Sequence, residues 1–304
     1  MNILHMLNAT FGSEGIEFRE SKSGLILCDI TNSQGRASVS LQGAQVVSWV
    51  PADEQPVIWL SPEAQFEPGR SIRGGVPICW PWFGAHPDDP EFPAHGYART
   101  SEWELIHAEH LEDGRTRLVL RLIESGKGEK YWPYMTELEC HISVGKSLEI
   151  ELVTRNEDAR EITLSEALHT YFHVGDIRQV SVLGLEQAEY RDKLRGFEAF
   201  TQPGAIRFED EVDRVYVNSK DAVVIDDPKL SRRIRIEKQG SHSTIVWNPW
   251  DEKSQQMGDM GEEGYQYMLC VESGNALEDA VILAPGEEHR LVVHYTVERA
   301  LHSV

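Results

Sequence analysis

Basic residues, cysteines and long apolar runs are all scarce in this chain of 304 residues. It holds 29 Lys and Arg against 50 Asp and Glu, for a formal net charge of -21. Nucleic acids and anionic membranes bind basic surfaces, so we expect neither as a partner. No uninterrupted apolar run reaches the roughly 18 residues that a membrane-spanning helix needs. The stretch from Met1 to Arg19 lacks a basic start followed by a long apolar run, so we expect no signal peptide.

The four cysteines are far apart and form no C-x-x-C pair: Cys28, Cys79, Cys140 and Cys270. Four free and mostly buried thiols fit this spacing better than two disulfides do, which indicates a reducing, cytoplasmic location. No linker, low-complexity segment or fixed-period repeat divides the chain. We therefore predict a single domain over residues 1–304 and expect it to act as a monomer.

Short runs of alternating apolar and polar residues recur along the chain. In residues 137–144, for example, Leu138, Cys140, Ile142 and Val144 are separated by polar side chains. Turn residues, such as Glu-Asp-Gly at 112–114, separate the runs. Many short strands with almost no helix predict an all-β fold, a large antiparallel β-sandwich or barrel. Short helical pieces are expected only at residues 210–215 and 253–257. Further alternating runs lie at residues 37–41, 117–123, 147–152, 222–225, 233–237, 244–247 and 290–297.

A stretch rich in arginine, glycine, proline and aromatic residues, at 70–84 and 93–99, is the most informative feature of the chain. Glycine and proline define an irregular backbone that can approach a ligand closely. Arg70, Arg73 and Arg99 carry the planar, multi-donor group best suited to phosphate or carboxylate. On so acidic a chain, this cluster predicts a local pocket for a small anion. The alternative is a rigid loop whose arginines pair with nearby carboxylates.

Residues 162–173 begin as a strand and end in a cluster of polar and aromatic residues. If side chains alternate strictly along this strand, His169 shares a face with Thr163, Ser165, Ala167 and Tyr171. This face is small and polar, as the lining of a site would be. The alternative is a buried histidine whose hydrogen bonds are satisfied within the core.

The spacing of His169 and His173 could also indicate a metal pair. No H-E-x-x-H motif or set of cysteine ligands accompanies the two histidines, so we expect no bound metal.

Glu272 stands at the end of the apolar run at residues 268–271. A carboxylate in apolar surroundings is costly unless it is paired or its pKa is raised, so Glu272 is a candidate general base. The alternative is a glutamate that faces solvent at the end of a strand. Trp247 offers an aromatic face, which suits either a sugar ring or the protein core.

Six segments that carry these residues occur together and in order: 72–81, 95–99, 168–172, 213–216, 247–250 and 270–274. With them the chain resembles the aldose 1-epimerase (galactose mutarotase-like) family, and within it the hexose-6-phosphate mutarotase branch. The resemblance runs from about Gly35 to Tyr295. It implies a β-supersandwich with the site on the concave face of one large sheet. It also implies an isomerase that interconverts the α and β anomers of a small-molecule sugar phosphate, glucose 6-phosphate, without cofactor or metal.

The resemblance assigns roles to individual residues. It places the catalytic histidine at His169 and the catalytic glutamate at Glu272. The matching segments supply the predicted substrate-binding residues, which are Arg73, Arg99, His95, Asp213 and Trp247. Two positions depart from the pattern. Ser273 stands where relatives often have proline, and Ala94 stands where they often have glutamine, so Ala94 is left out of the predicted site.

Two other functions remain open at this point. One is a non-catalytic module that binds a sugar or sugar phosphate, and the other is a mutarotase for unphosphorylated aldoses. The matched pair of His169 and Glu272 favours catalysis, because binding alone needs neither an acid nor a base. A carbohydrate lyase would need a further base or domain that the sequence does not show. Whether Arg70 joins the phosphate site is also open.

Overall fold

The computed structural model describes residues 2–123 and 126–299. Its α-helices are α1 (Ile3–Phe11), α2 (Gly126–Tyr131) and α3 (Trp250–Met257). Its strands, in chain order, are β1 (Ile16–Glu20), β2 (Ile26–Asn32), β3 (Gly35–Ser40), β4 (Gln45–Pro51), β5 (Ile78–Cys79), β6 (Trp103–His110), β7 (Thr116–Leu122), β8 (Thr136–Val144), β9 (Leu148–Asn156), β10 (Ile162–Leu164), β11 (Glu166–Leu168), β12 (Tyr171–His173), β13 (Ser181–Leu183), β14 (Glu189–Asp192), β15 (Glu198–Thr201), β16 (Ile206–Arg207), β17 (Val212–Tyr216), β18 (Val223–Asp227), β19 (Arg232–Gln239), β20 (Ser243–Asn248), β21 (Met268–Asn275), β22 (Val281–Leu283) and β23 (Glu288–Arg299).

Two large antiparallel sheets dominate the fold. The nine-stranded sheet has the order β16-β13-β18-β19-β23-β9-β8-β7-β6. The eight-stranded sheet has the order β15-β14-β17-β20-β21-β11-β5, and β12 also pairs with β21. A four-stranded sheet, β1-β2-β3-β4, and the pair β10-β22 complete the set among the described residues. The all-β, antiparallel prediction is confirmed.

The two large sheets pack face to face, because alternate residues of each strand are apolar and point between them. The rings of Phe172 in β12 and Tyr295 in β23 have centroids 5.4 Å apart. The Tyr295 hydroxyl also lies 2.6 Å from Thr170 Oγ1, and Trp80 Nε1 donates to Thr154 Oγ1 in β9 at 3.1 Å. The apolar core therefore lies between the two sheets. The other face of the eight-stranded sheet is left for the functional cleft.

The predicted helices need one correction. Residues 253–257 do lie in a helix, α3, but Val212–Tyr216 forms strand β17. Pairing with β14 on one side and β20 on the other decides its conformation, and tertiary pairing of this kind overrides a weak local preference. Helix α1 was not predicted, although Leu4, Leu7 and Phe11 have helical spacing.

Further features of the fold bear on the sequence predictions. The four cysteines are buried and free, as their spacing predicted. No helix among residues 2–123 and 126–299 is long and apolar enough to cross a membrane. The single domain over residues 1–304 stays a prediction, and its residues 1, 124–125 and 300–304 lie outside the described part of the chain.

Glu166 in β11 is a fully buried carboxyl on the core side of the eight-stranded sheet, with Oε1 3.4 Å from His289 Nε2. Burial raises the pKa of Glu166 to about 8. Between pH 4.5 and 8 the folded chain therefore holds a proton that the unfolded chain releases. The stability due to this group falls as the pH rises through that range.

Replacing Glu166 with Gln should remove this pH dependence. We expect the variant to gain stability relative to the wild type as the pH rises. The difference between their free energies of unfolding should grow by up to about 1.4 kcal/mol per pH unit between pH 4.5 and 8. Urea unfolding at pH 5, 6.5 and 8 measures the difference. A difference that stays constant over this range would show that Glu166 ionises normally in the folded protein.

Candidate active site

A cleft of about 330 Å³ opens on the face of the eight-stranded sheet that points away from the core. Strands β17, β20, β21 and β12 form its floor, and the loops around residues 71–99 and helix α3 form its walls. All seven residues predicted from the sequence line it: Arg73, His95, Arg99, His169, Asp213, Trp247 and Glu272.

Strand register explains why residues so far apart in sequence meet here. Asp213 in β17 pairs with Trp247 in β20, and Ile245 in β20 pairs with Glu272 in β21. Successive side chains of a strand point to opposite faces, and directly paired residues point to the same face. Asp213, Ile245, Trp247 and Glu272 therefore emerge together on the cleft side of the sheet.

His169 and Glu272 form a buried pair at the floor of the cleft. His169 Nε2 lies 3.5 Å from Glu272 Oε1, and the two residues are 9% and 1% exposed. Among the described residues, His169 Nδ1 and Glu272 Oε2 are buried without a hydrogen-bond partner. Buried polar atoms are normally satisfied, so these two are left for a ligand or for water.

Burial shifts the pKa values of this pair in opposite directions. It raises the pKa of Glu272 well above its usual value, and the carboxylate of Asp213 raises it further. It lowers the pKa of His169 well below its usual value, with added repulsion from Arg99 and Arg73. Each group therefore resists carrying a charge alone, and the pair favours holding one proton between its two members. An acid and a base are thus available together.

His95 lies at the side of the cleft with its ring edge-on to His169, at 5.6 Å between centroids. Burial, together with repulsion from Arg99, Lys193 and Arg73, lowers the pKa of His95 to about 3, so its ring is neutral at ordinary pH. The Gly84 amide donates to His95 Nδ1 at 3.3 Å. This bond places the ring hydrogen on Nε2, and His95 is a donor there.

Gly96 shows why a glycine must follow His95. Its φ is +71°, and a Cβ atom there would lie 1.9 Å from the Trp80 carbonyl oxygen. Only glycine combines this backbone angle with so close an approach. The tight contact with the Trp80 segment holds the loop that carries His95 against the sheet.

The arginines fit both of the alternatives drawn from the sequence. Arg73 Nε donates to Asp259 at 2.9 Å and its Nη1 donates to the Tyr171 hydroxyl at 3.0 Å, so its charge is already paired. Arg99 donates to the Ala94 carbonyl at 2.9 Å and forms no ion pair within the described residues. Arg70 is exposed and pairs with Glu67 at 2.8 Å, outside the cleft lining.

Two lysines in the cleft were missed by the sequence reasoning. Lys193 lies 3.0 Å from Asp213, and Lys253 of α3 pairs with Glu211. Lys193 follows β14 in a short 3-10 turn that Asp192 caps through the Leu194 amide. No local sequence pattern indicates either lysine, because only the tertiary structure brings them to the cleft.

The face predicted for His169 needs a correction. The expected single strand is broken into β10, β11 and β12. Thr163 is exposed and pairs with β22 in a separate sheet, so it does not share the face of His169. Tyr171 does, with its ring stacked on the imidazole.

The structure also bears on the metal pair that the spacing of His169 and His173 could indicate. His173 does not line the cleft that holds His169. Within residues 2–123 and 126–299, no cluster of three or more His, Cys, Asp or Glu side chains has the arrangement of a metal site.

Comparison with known proteins identifies the family. A model of the aldose 1-epimerase family matches residues 27–296. A protein of Escherichia coli K12 named "Putative glucose-6-phosphate 1-epimerase" is 41% identical over 261 residues, which cover 86% of each chain. A protein of the same name from Cenchrus ciliaris is 38% identical and covers 84% of this chain and 79% of its own.

A solved structure shares the fold. The crystal structure of a "putative mutarotase" from Salmonella typhimurium superposes with a TM-score of 0.89 at 34% identity, over 98% of this chain and all of the other. The predicted mutarotase-like β-sandwich is confirmed by this likeness. The chain belongs to the aldose 1-epimerase family.

Proposed function

We propose that the protein interconverts the α and β anomers of hexose 6-phosphates, with glucose 6-phosphate as the foremost substrate. The observation that carries this proposal is the buried His169–Glu272 pair, which lies at the floor of a cleft lined by cationic side chains. The names of the relatives point to the same substrate.

The reaction needs one acid and one base. The ring opens when a proton is given to the ring oxygen O5 and one is removed from the O1 hydroxyl. The free aldehyde turns about the C1–C2 bond and closes on its other face. His169 would give the proton to O5 and Glu272 would take it from O1, and the two would exchange roles on closure. Side chains supply every proton transfer, so we expect no metal or cofactor.

The empty site is set up for this proton exchange. Glu272 Oε2 has no described partner, and a hydrogen bond from the O1 hydroxyl would stabilise its ionised form. The shared proton would then sit on His169, facing O5. Each acid or base group typically accelerates such a step by about 10²–10⁴-fold. If the two effects multiply, the pair supplies about 10⁴–10⁸-fold, or roughly 5–11 kcal/mol.

The other cleft residues would bind the sugar. Asp213 would accept hydrogen bonds from hydroxyl groups, and His95 would donate one through Nε2. Trp247 would pack against the apolar face of the ring.

The phosphate would be held mainly by Arg99. This is the cleft arginine without a described carboxylate partner, whereas Asp259 already neutralises Arg73. Lys193, paired with Asp213, and Arg73 would add positive potential nearby.

Arg99→Ala should therefore lower kcat/KM for glucose 6-phosphate by about 10–150-fold, the value of one lost charge-assisted hydrogen bond. Turnover of free glucose should hardly change. Arg70→Ala is the matched control, because Arg70 belongs to the same loop region but pairs with Glu67 outside the cleft. Arg73→Ala should lower turnover of both sugars, since Arg73 also contacts Tyr171. If Arg99→Ala lowered kcat/KM equally for the two sugars, Arg99 would not be a phosphate-binding residue.

The test of the proposed function is the rate of anomerisation of freshly dissolved α-glucose 6-phosphate, α-glucose and α-galactose, followed by polarimetry. We expect glucose 6-phosphate to be turned over with the highest kcat/KM. A preference for free galactose would instead indicate a mutarotase for unphosphorylated aldoses. Tight binding of glucose 6-phosphate without acceleration would indicate a non-catalytic module.

Three further features belong to this proposal. We infer that the protein acts as a monomer of one domain. Its cysteine usage favours the cytoplasm, and its net charge of -21 disfavours nucleic-acid or membrane partners.

A further inference from the structure

The imidazole of His169 lies in a cluster of aromatic rings. It stacks on Tyr171 with centroids 5.0 Å apart and an angle of 13° between the ring planes. Tyr171 also stacks on Trp59, at 5.8 Å and 20°. Trp247 stands edge-on to both His169 and Tyr171, at 5.8 and 6.0 Å. The ring of His169 is therefore packed between aromatic neighbours whose own positions are restricted.

The usual device for orienting a catalytic histidine is missing among the described residues. Such a ring normally donates its second nitrogen to a carboxylate or a carbonyl, which defines both its orientation and its tautomer. Here His169 Nδ1 is buried and has no described partner. The main chain is held, since the His169 amide donates to the Pro77 carbonyl at 2.9 Å, but the ring is oriented by packing.

Tyr171 connects this ring to the cationic side of the cleft. Its side chain is buried, and its hydroxyl accepts a hydrogen bond from Arg73 Nη1 at 3.0 Å. Arg73 is anchored in turn by Asp259. One tyrosine therefore contacts both the proposed acid and a proposed substrate-binding arginine.

We propose that Tyr171 is a positioning residue: its ring holds the His169 imidazole toward Glu272 and its hydroxyl holds Arg73 in the cleft. This inference rests on the proposed function. A protonated imidazole stacked on a tyrosine face also gains a cation–π interaction, which favours the form that donates a proton to O5. The charged or titratable groups around His169 are Glu272, His95, Arg99 and Arg73. A change at Tyr171 leaves the first three in place, whereas loss of its hydroxyl removes one hydrogen bond from Arg73, in Tyr171→Leu and in Tyr171→Phe alike.

Two substitutions distinguish the effect of the Tyr171 ring from that of its hydroxyl. Tyr171→Leu removes the stack, and we expect kcat to fall by about 10- to 100-fold, as for a misplaced catalytic group. The basic limb of its pH profile of kcat should move to lower pH by about 0.4–1.5 pH units, because the proton shared by His169 and Glu272 loses its cation–π stabilisation. Tyr171→Phe keeps the stack, so kcat and the basic limb should stay near wild type while KM for glucose 6-phosphate rises by about 2- to 12-fold.

Tyr216→Phe is the matched control. Tyr216 is also a buried tyrosine with a hydrogen-bonded hydroxyl, 2.8 Å from Gln202 Oε1, and it does not line the cleft. We expect its kcat and KM to stay at wild-type values. An equal fall in kcat for Tyr216→Phe and Tyr171→Leu would show a general loss of structure and overturn the proposal.

A readout that does not depend on activity keeps this inference separate from the proposed function. Crystal structures without substrate should show one orientation of the His169 ring in the wild type and in Tyr171→Phe, and more than one in Tyr171→Leu. A single, unchanged orientation in Tyr171→Leu would overturn the proposal even if the enzyme acts on glucose 6-phosphate. If Tyr171→Leu does not fold, Tyr171→Phe still decides. A loss of kcat in that variant with the ring in place would contradict a positioning role for the stack.

Discussion

Replacing Glu272 with Gln is expected to lower kcat for anomerisation by about 10²–10⁴-fold. The amide is nearly isosteric with the carboxylate but cannot take the proton from O1. Glu272 is 1% exposed and lies 3.5 Å from the imidazole of His169. Among the described residues no other carboxylate pairs with this imidazole, so we expect none to take over the role of base. Steady-state rates on glucose 6-phosphate measure the loss, and more than about a tenth of kcat retained would rule out general-base duty.

The loss must be distinguished from unfolding. Glu272→Gln removes a buried carboxyl whose pKa is raised, and such a group destabilises the folded state increasingly as the pH rises above about 4.5. The variant should therefore be at least as stable as the wild type at pH 7. Glu166→Gln is the matched control, because Glu166 is equally buried but lies on the core side of the sheet. It should keep wild-type kcat.

Replacing His169 with Asn should have an effect of the same size, about 10²–10⁴-fold in kcat, because the acid at O5 is lost. Asparagine keeps a polar side chain in the cleft but has no proton to exchange at neutral pH. The measurement is again kcat on glucose 6-phosphate, with thermal unfolding to check the fold.

His173→Asn is the control for this variant. His173 lies in β12, four residues from His169, and does not line the cleft. It should retain nearly all activity. An inactive His173→Asn beside an active His169→Asn would show that the wrong histidine was assigned.

The sheets and the main site residues could be predicted from the sequence because their signals are local. Alternation within residues 137–144 and 290–297 marks strands β8 and β23 directly. His169 and Glu272 stand out because polar groups in apolar strands are costly without a purpose. Their placement in one cleft agrees with the prediction, whereas their catalytic roles stay proposals.

The parts that could not be predicted depend on long-range contacts. Asp259 pairs with Arg73 across 186 positions of sequence, and no local pattern indicates that bond. Lys193 reaches the cleft only because β14 pairs with β17, which carries Asp213. The same β17 pairing turned the helix expected at residues 210–215 into a strand. The aromatic cluster around His169 likewise depends on Trp59, which lies far away in sequence.

Exchange between the two anomers at equilibrium tests the proposed function most directly. The anomeric hydrogens of α- and β-glucose 6-phosphate give separate NMR signals, and exchange spectroscopy reports their interconversion without a coupling enzyme. With the wild-type protein we expect exchange cross-peaks for glucose 6-phosphate that are far stronger than those for equimolar glucose, and that vanish for Glu272→Gln. Equal exchange of the two sugars, or no exchange of glucose 6-phosphate above the protein-free rate, would contradict it.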